Sequence, residues 1–305
     1  MTKLPLKISE PVAMALDANA AVVALESTII THGMPWPQNL ETARAIEAAV
    51  REAGAEPATI AVIDGEICVG LTDAQLEALA QAKSVAKLSR ADMAVCIAKG
   101  GTGATTVAAT MIAANLAGIS VFATGGIGGV HKGADQSFDI SADLQELAQT
   151  SVTVVCAGAK AILDLPKTLE VLETLGVPVM AFGQDSLPAF WSRTSQLKAP
   201  LRADNAAEIA AAHRMRQALG LPGGQLVTNP IPPEAEIPQS EILPVITRAN
   251  EDAKTHGITG KALTPYLLQR IYELTDGRSL EANIALVLNN ARLGAGIAQE
   301  LAAKP

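Results

Sequence analysis

The chain has 305 residues and a formal net charge of -8 at pH 7, and 49% of its residues are hydrophobic whereas 3% are aromatic. This length and apolar content allow a large buried core, as one α/β domain or as two smaller ones. The negative charge argues against a nucleic acid or a membrane surface as the main partner. It does not exclude a phosphorylated small molecule, because a few local cations and backbone amides can hold a phosphate on an acidic protein.

The cysteines Cys68, Cys96 and Cys156 each lie within or beside an apolar run typical of a strand, and no two have the spacing of metal ligands. We interpret them as reduced core residues. The first residues lack the continuous apolar segment of a signal peptide, and no later run is long and uniform enough for a membrane span. These features predict a cytoplasmic protein.

A short apolar strand is predicted at Val22–Leu25, and Glu26 follows it directly. A glutamate at the carboxyl end of a strand lies where α/β sheets place their chemistry. The alternative is a carboxylate at the rim that merely accepts a hydrogen bond from a nearby backbone amide. This segment alone leaves both interpretations open.

The following elements predict an ordinary α/β framework. The pattern indicates a helix from Asn39 to about Ala53, strands at Thr59–Asp64 and Glu66–Val69, and a helix capped by Asp73 that ends near Ala82. Asp64-Gly65 is a strong hairpin turn between the two strands. The segment Val85–Arg90 then carries Lys87 near a strand entry, which alone is typical of a solvated edge.

A glycine-rich turn follows what the pattern predicts as a buried strand, Met93–Ala98. The turn, KGGTGATT from Lys99, leads into a predicted helix that ends near Leu116. It lacks the Walker A spacing and the third glycine of the dinucleotide fingerprint. Its backbone N–H groups could form a cradle for an anion or a base edge, or the turn could serve tight packing alone.

The strand Ile119–Thr124 is predicted to open a loop, Gly125–Gly133, that has five glycines in nine residues. Because each glycine adds to the entropy that folding must overcome, such a loop indicates that its backbone closely approaches another group. Three carboxylates within the nine residues Asp135–Asp143 follow. Oxygen ligands at this density suit Mg²⁺ or Mn²⁺. Ser141 or Asp143 could instead cap the helix predicted at Leu144–Ala148.

The stretch Val152–Asp164, VTVVCAGAKAILD, runs from β-branched residues through small ones to Lys160, just before a helical pattern that begins at Ala161. This is typical of a buried parallel strand that leads into a helix. Desolvation and the positive end of the helix dipole would favour the neutral amine of Lys160, which can form a Schiff base with a carbonyl carbon. The alternative is a lysine whose amine reaches solvent at the rim of the sheet.

The remaining pattern continues the alternation of strands and helices. It predicts a helix to about Leu175, a strand at Val177–Phe182, a helix from Asn205 to about Leu219, a strand at Gln225–Thr228, and three helical segments from Pro238 that are broken near Thr259-Gly260 and Asp276-Gly277. We therefore predict one α/β domain, residues 1–305, with a mostly parallel central sheet, helices on both faces and a helical C-terminal segment. Glu26, the Gly100 turn, the Gly125 loop and Lys160 would then meet at one edge of the sheet.

Five motifs resemble those of the pseudouridine-5'-phosphate glycosidases, or pseudouridylate synthases. They are, in order, LESTIITHGMPWPQN, GGTGATTVAATM, FATGGIGGVHKGADQSFDISADL, CAGAKAILD and NPIPPEAEIP. The resemblance spans roughly Pro11 to Ala291. It implies reversible conversion of pseudouridine 5'-phosphate and water to uracil and ribose 5-phosphate, in a homotrimer with a bound divalent metal, usually described as manganese.

The resemblance also implies roles for individual residues. Lys160 of CAGAK matches the covalent nucleophile, and Glu26 of LEST matches the proton donor. Asp139 of SFDIS matches the metal ligand. The positions that match substrate contacts are Ser141, Ala142, Asp143, Lys87 and Val107, with His131 and Asn283 as further additions.

The chemistry of the substrate agrees with these residues. Pseudouridine joins ribose C1' to uracil C5 by a carbon–carbon bond, so its cleavage requires an electron sink, which a lysine iminium at C1' provides. Two alternatives remain from the sequence. A Schiff-base aldolase acting on a sugar phosphate would use the same lysine, and a sugar-phosphate-binding regulatory module would need no catalysis.

Overall fold

The computed structural model of the chain describes residues 4–258 and 260–303, apart from the side chain of Lys261. The strands of the described part are β1 (Leu6–Ile8), β2 (Val22–Leu25), β3 (Glu56–Ile63), β4 (Glu66–Val69), β5 (Ala86–Leu88), β6 (Gly103–Thr105), β7 (Val121–Ala123), β8 (Thr153–Cys156), β9 (Val179–Phe182), β10 (Leu201–Ala203) and β11 (Gln225–Thr228).

The helices of the same part are α1 (Glu10–Asp17), α2 (Thr28–His32), α3 (Gln38–Glu52), α4 (Asp73–Gln81), α5 (Arg90–Ala98), α6 (Val107–Leu116), α7 (Ala134–Ser137), α8 (Ala142–Gln149), α9 (Leu165–Thr174), α10 (Ala206–Ala218), α11 (Gln239–Thr255), α12 (Leu263–Leu274) and α13 (Arg278–Ala302). Short 3₁₀ turns lie at Pro233–Ala235 and Gly260–Ala262. The predicted C-terminal helical segment is confirmed. Of the break predicted at Thr259-Gly260, Thr259 lies outside the described residues. None of the described helices has the length and apolar character that a membrane span requires.

The strands form one sheet in the order β1-β4-β3-β2-β7-β8-β11-β9-β10, and β6 pairs with β3 and carries β5. Within the described strands, the pairings of β3 with β4 and with β6 are antiparallel and the other pairings are parallel. The predicted mostly parallel sheet is therefore confirmed. The predicted hairpin turn is also present, because Asp64 and Gly65 both have left-handed φ values, 49° and 79°.

The centre of the sheet is apolar because helices cover it on both faces. Strands β2, β7 and β8 are buried along their whole lengths. Helix α13 packs against β2, β7 and β8, and α6 packs against β2, β3 and β7 on the other face. Gly294 lets α13 lie close to the sheet, since a Cβ there would be 3.3 Å from the Cβ of Ala123. This packing leaves the carboxyl ends of the central strands open to the loops that follow them.

The strand predicted at Met93–Ala98 is wrong, because this run lies in helix α5. Ser89 and Asp92 form a capping box that starts the helix. The side chains also divide as on a surface helix, with Met93 buried and Val95 exposed. Cys96 consequently lies in a helix rather than in a strand-like run, and it is a free cysteine, as are Cys68 and Cys156.

The glycine turn after α5 therefore does not follow a strand of the sheet. The Gly65 N–H donates a hydrogen bond to the Gly101 carbonyl at 2.9 Å. A Cβ on Gly65 would lie 2.9 Å from the Gly100 Cα. Gly100 and Gly101 thus pack against the β3–β4 hairpin, which supports the packing alternative for these glycines and takes them away from the predicted meeting point.

Two predicted helix starts are displaced. Helix α4 is capped by Thr72, whose hydroxyl accepts from the Gln75 N–H at 3.3 Å, while Asp73 is the first residue of the helix. Helix α9 begins at Leu165 and not at Ala161, and the Asp164 carboxylate accepts from the Lys167 N–H at 3.1 Å. In both cases a side chain that accepts a helical N–H sets the boundary more strongly than the apolar spacing does.

Candidate active site

The candidate site lies at the carboxyl ends of three neighbouring strands. Glu26 follows β2, Thr124 follows β7, and Lys160 lies four residues beyond the end of β8. The structure brings Glu26, the Gly125 loop and Lys160 together here, as parallel strands do with the residues that follow them.

Two cavities meet at this edge, and five residues line both of them. We call these two cavities the apolar lobe and the polar lobe. The shared residues are Glu26, Thr28, Lys87, Lys160 and Thr264. The apolar lobe is further lined by Ile29, His32, Gly33, Met34, Gly125, Gly126, Phe190, Pro265, Leu268, Asn283 and Leu286. The polar lobe is further lined by Ser89, Thr106, Val107, Gly128, His131, Ser141, Asp143 and Leu163. A molecule bound across the shared residues would have one apolar and one polar end.

The carboxylate of Glu26 is held by two hydroxyl groups. Thr28 and Thr124 each donate a hydrogen bond to it, one to each oxygen. The backbone carbonyl of Thr124 in turn accepts from the Asn290 side-chain amide at 2.8 Å. Thr124 and Asn290 are both buried. Helix α13 therefore helps to fix the direction of the Glu26 carboxylate through Thr124.

Lys160 lies in a turn that extends the sheet beyond β8. Its N–H donates to the Ile127 carbonyl at 3.1 Å, and Ile127 forms a parallel bridge with Ala159. Within the described residues, no carboxylate lies within ion-pair distance of the Lys160 amine. Because α9 begins at Leu165, the predicted helix-dipole effect on Lys160 has no basis. Lys160 lines both lobes.

The wall of the polar lobe is built by Asp143 and the start of α6. One carboxylate oxygen of Asp143 accepts from the Ala108 N–H at 3.0 Å and the other from the Gly128 N–H at 2.8 Å. Ser141 is the N-cap of α8, as one of the two predicted alternatives had it. Val107 is the buried first residue of α6, whereas Ala142 is exposed and outside both lobes. Asp143 thus ties the glycine loop to α6.

The glycine loop approaches protein atoms very closely. A Cβ on Gly126 would lie 2.6 Å from Phe190 Cε2, and one on Gly128 would lie 2.8 Å from Asp143 Oδ2. Larger residues at these positions would push the loop away from Phe190, which lies between β9 and β10, and from the start of α8. The predicted close approach of this loop to another group is therefore present. The groups that it approaches, Phe190 and Asp143, line the apolar and the polar lobe.

His131 connects the cations of the site with Asp139. Burial lowers the pKa of His131, the charge of Asp139 opposes this, and the charges of Lys160 and Lys87 lower the pKa further. The backbone N–H of His131 also donates a hydrogen bond to the backbone carbonyl of Asp139 at 3.0 Å. Lys160 and Lys87 thus lie close enough to influence His131, and their positive charge is suited to an anion, whereas the lowered pKa of His131 favours its neutral ring.

The acid cluster predicted as a cation site does not converge in the described part of the chain, where no three acidic, histidine or cysteine side chains group as metal ligands. Asp135 is exposed and lies 3.8 Å from the Lys167 amine, and Asp143 accepts from two backbone amides. Asp139 remains, with no hydrogen-bond donor to its carboxylate among the described residues. A hard cation at this one carboxylate would take its other ligands from water or from a bound molecule.

Several residues of the site were not identified from the sequence. Thr28, Thr124 and Ser89 adjoin predicted elements, and a search for polar residues at strand ends could have found Thr124. Thr264 gave no signal, because a helical pattern does not show which sheet edge the helix reaches. Asn283, taken from the resemblance, does line the apolar lobe.

The fold and the site define an α/β enzyme with an amine and a carboxyl group between two unlike lobes. A family model described as indigoidine synthase A like protein matches residues 11–300, and the chain belongs to this family. A relative from Jannaschia sp. (strain CCS1), named pseudouridine-5'-phosphate glycosidase, is 70% identical over 298 residues, which cover 98% of this chain and 99% of the relative. A relative of the same name from Roseobacter denitrificans is 71% identical over 303 residues, or 99% of this chain and 98% of the relative. The resemblance found in the motifs is thereby confirmed.

Two solved structures share the fold. The prealnumycin C-glycosynthase in complex with ribulose 5-phosphate has a TM-score of 0.91 and 39% identity, and the match covers 99% of this chain and 98% of that one. An indigoidine synthase A-like protein from Thermotoga maritima has a TM-score of 0.90 and 32% identity, with the same coverage of both chains.

Proposed function

We propose that this enzyme is a pseudouridine-5'-phosphate glycosidase, which reversibly cleaves the bond between ribose C1' and uracil C5 to give uracil and ribose 5-phosphate. The observation that carries the proposal is the position of Lys160, which has no carboxylate partner among the described residues and lies with Glu26 at the junction of a polar and an apolar lobe. The substrate has the same division, since a sugar phosphate and a flat base flank the bond that breaks. Relatives of about 70% identity carry the name of this activity.

The polar lobe is suited to the sugar phosphate. Lys87 supplies positive charge, and His131, whose lowered pKa favours the neutral ring, supplies a hydrogen-bonding nitrogen. At the start of α6 the backbone N–H of Val107 points to the same use, whereas that of Thr106 donates to the Leu88 carbonyl at 2.9 Å. The apolar lobe is suited to uracil, because Phe190 and Leu286 can cover the faces of the ring. With this assignment the C1'–C5 bond lies beside Lys160 and Glu26.

In the cleavage direction, Glu26 gives a proton to the ribose ring oxygen as the C1'–O4' bond breaks. Uracil N1 loses its proton, and the electron pair moves through C6 so that a C1'=C5 double bond forms. The Lys160 amine then adds to C1', which restores the pyrimidine ring. Thr28 and Thr124 hold the Glu26 carboxyl in place through these steps.

The carbon–carbon bond breaks in the second half of the reaction. Uracil C5 takes a proton, the lone pair of the Lys160 nitrogen forms a C1'=N bond, and the C1'–C5 electrons return to the pyrimidine ring as uracil leaves. Water then adds to C1' and displaces Lys160, which yields ribose 5-phosphate. Over one cycle the two protons of the water balance those taken up by O4' and by uracil C5, and the N1 proton returns to uracil, so Lys160 and Glu26 regain their starting protonation states.

We also propose that Asp139 binds a divalent metal, with Mn²⁺ as the cation that the resemblance implies. A bound cation would neutralise charge on the phosphate. The test is Mn²⁺ binding measured by calorimetry in the presence of ribose 5-phosphate. Asp139→Asn should weaken binding at least tenfold, and equal binding by the variant would contradict the assignment.

A homotrimer and a cytoplasmic location complete the proposal. Phe138 and Ile140, which flank Asp139, are 81% and 43% exposed, and apolar surface of this kind suits burial against a second copy. Light scattering should give three times the chain mass of 31.4 kDa, and Phe138→Ser should lower that value. The cytoplasm is the compartment where free thiols such as Cys68 persist, and cell fractionation tests it.

The decisive experiment is borohydride trapping in the presence of ribose 5-phosphate. Peptide mass spectrometry should find the reduced sugar adduct on Lys160, and Lys160→Ala should abolish both the adduct and turnover while ribose 5-phosphate still binds. The exposed Lys198 serves as a matched control, since Lys198→Ala should change neither. An adduct on another lysine overturns the assignment, and consumption of ribose 5-phosphate that does not depend on uracil would indicate an aldolase.

A further inference from the structure

Asn283 is on helix α13 and lines the apolar lobe. A hydrogen bond fixes the orientation of its side-chain amide. The indole Nε1–H of Trp191 donates to Asn283 Oδ1 at 2.7 Å and also reaches the Ser279 carbonyl at 3.1 Å. An indole nitrogen can only donate. If the Asn283 amide were rotated by 180°, two N–H donors would face each other at this distance, so the oxygen must face Trp191.

The tryptophan is itself held firmly. Its side chain is 1% exposed, and its carbonyl accepts from the Ile237 N–H at 2.9 Å. The neighbouring Phe190 packs edge-to-face on it, with ring centroids 5.0 Å apart. Trp191 therefore acts as a rigid donor on which the Asn283 oxygen is oriented.

With the oxygen engaged, the part of Asn283 left for a ligand is its amino group. Nδ2 has no hydrogen-bond acceptor among the described residues, and Asn283 contributes to the lining of the apolar lobe. A group of fixed polarity at a binding site discriminates strongly, because a ligand with the wrong partner leaves a polar group unpaired or repelled.

We propose that Trp191 sets the polarity of Asn283, so that Asn283 presents an N–H donor to the base and selects a pyrimidine with a carbonyl oxygen next to the reacting carbon. This inference rests on the proposed function and deepens it. Uracil carries the C4 carbonyl beside C5, whereas cytosine carries an amino group there. Asn283 is thus a specificity-determining residue and Trp191 a positioning residue.

The same donor has a role in the reaction. The C1'=C5 double bond formed after ring opening is conjugated with the C4 carbonyl. When the Lys160 amine adds to C1', electron density moves toward O4, and a donor already directed at O4 stabilises that charge. Asn283 therefore contributes to kcat as well as to base affinity.

The test measures uracil-dependent consumption of ribose 5-phosphate, with cytosine as a competitor of uracil. The wild type should bind uracil at least a hundredfold more tightly than cytosine. Asn283→Asp keeps the shape and still accepts from Trp191, but it presents an acceptor to the base. We expect it to raise the KM for uracil at least tenfold, to lower kcat, and to make cytosine the tighter ligand, with the KM for ribose 5-phosphate unchanged.

Trp191→Phe keeps an aromatic ring but removes the donor, so the Asn283 amide can rotate and the uracil-to-cytosine ratio should fall at least tenfold. Trp36→Phe is the matched control, because Trp36 is 49% exposed and lies outside both lobes, and its ratio should equal that of the wild type. Thermal unfolding shows whether each variant is folded. If folded Asn283→Asp keeps the wild-type ratio, the inference is overturned while the activity stands. If the wild type does not consume ribose 5-phosphate with uracil, the proposed function itself fails.

Discussion

A buried carboxylate beside the polar lobe allows a quantitative prediction about stability. Glu146 of α8 has a side chain that is 0% exposed, and the Arg90 side chain, 50% exposed, makes two hydrogen bonds to it at 2.6 and 2.8 Å. The Thr150 hydroxyl also donates to Glu146. This ion pair connects the start of α5, where Arg90 follows Ser89, with α8, whose N-cap is Ser141. Its loss should therefore affect both folding and the shape of the polar lobe.

Arg90→Ala leaves the Glu146 carboxylate buried with one hydroxyl donor. Removal of one partner of a buried ion pair costs about 3–5 kcal/mol, and because Arg90 is half exposed we expect the lower end, about 3 kcal/mol. The entropy of unfolding for a chain of this length is about 0.6 kcal/mol/K, so Tm should fall by about 5 °C. Glu146→Gln keeps the shape and an acceptor for Arg90, and it should cost about 1 kcal/mol.

The double variant distinguishes the cause. If the cost of Arg90→Ala comes from the unpaired buried charge, adding Glu146→Gln should recover about 2 kcal/mol of it. Differential scanning calorimetry of the four proteins gives these values. A double variant that is less stable than Arg90→Ala alone would refute this reasoning, as would a change in Tm below 1 °C for Arg90→Ala.

Three further predictions concern other parts of the molecule. Thr124→Val removes one hydroxyl that holds Glu26, so kcat should fall about tenfold to a hundredfold with little change in KM for ribose 5-phosphate, as steady-state kinetics can show. Gly126→Ala should cost about 1–3 kcal/mol because the new Cβ would lie 3.0 Å from the Gly158 carbonyl oxygen, whereas Gly296→Ala, with its nearest atom at 3.8 Å, should not destabilise the protein in calorimetry. Burial raises the pKa of Glu47 above its ordinary 4.5, so the folded state binds this proton more tightly, and the stabilisation present below pH 4.5 is lost as pH rises through the raised pKa. Glu47→Gln should flatten this loss in pH-dependent urea titrations, and an unchanged slope would exclude Glu47 as its source.

The sequence predicted the centre of the fold well for a physical reason. The strands β2, β7 and β8 are covered on both faces, and such strands appear as short, continuous apolar runs whatever their partners are. Glu26 and Lys160 could be found because each follows a run of this kind. Met93–Ala98 is equally apolar but lies in a helix, since a run of six residues does not distinguish a strand from a helix whose start is fixed by Ser89 and Asp92.

The parts of the site that the sequence did not predict depend on distant contacts. The acids Asp135, Asp139 and Asp143 are neighbours in the chain, but the backbone amides of Ala108 and Gly128 bind the last of them. The apolar lobe draws Thr264 from a helix more than a hundred residues after Lys160, whereas Asn283 was named only through the resemblance. A local sequence pattern does not show where a C-terminal helix packs. Only the folded chain therefore identifies these residues as part of the site.

The two lobes are also supported by different parts of the fold, and this separates base selection from bond cleavage. The loops after β2, β7 and β8 fix Glu26 and Lys160, and α6 and α8 form the wall of the polar lobe. The outer wall of the apolar lobe comes from α12, which packs mainly against α11 and α13. Because α12 is not part of that sheet edge, its residues Pro265 and Leu268 can change the space for a base without moving the lysine. Asn283 and Leu286 are exceptions, since α13 carries them together with Asn290, and through Asn290 the same helix helps to orient Glu26.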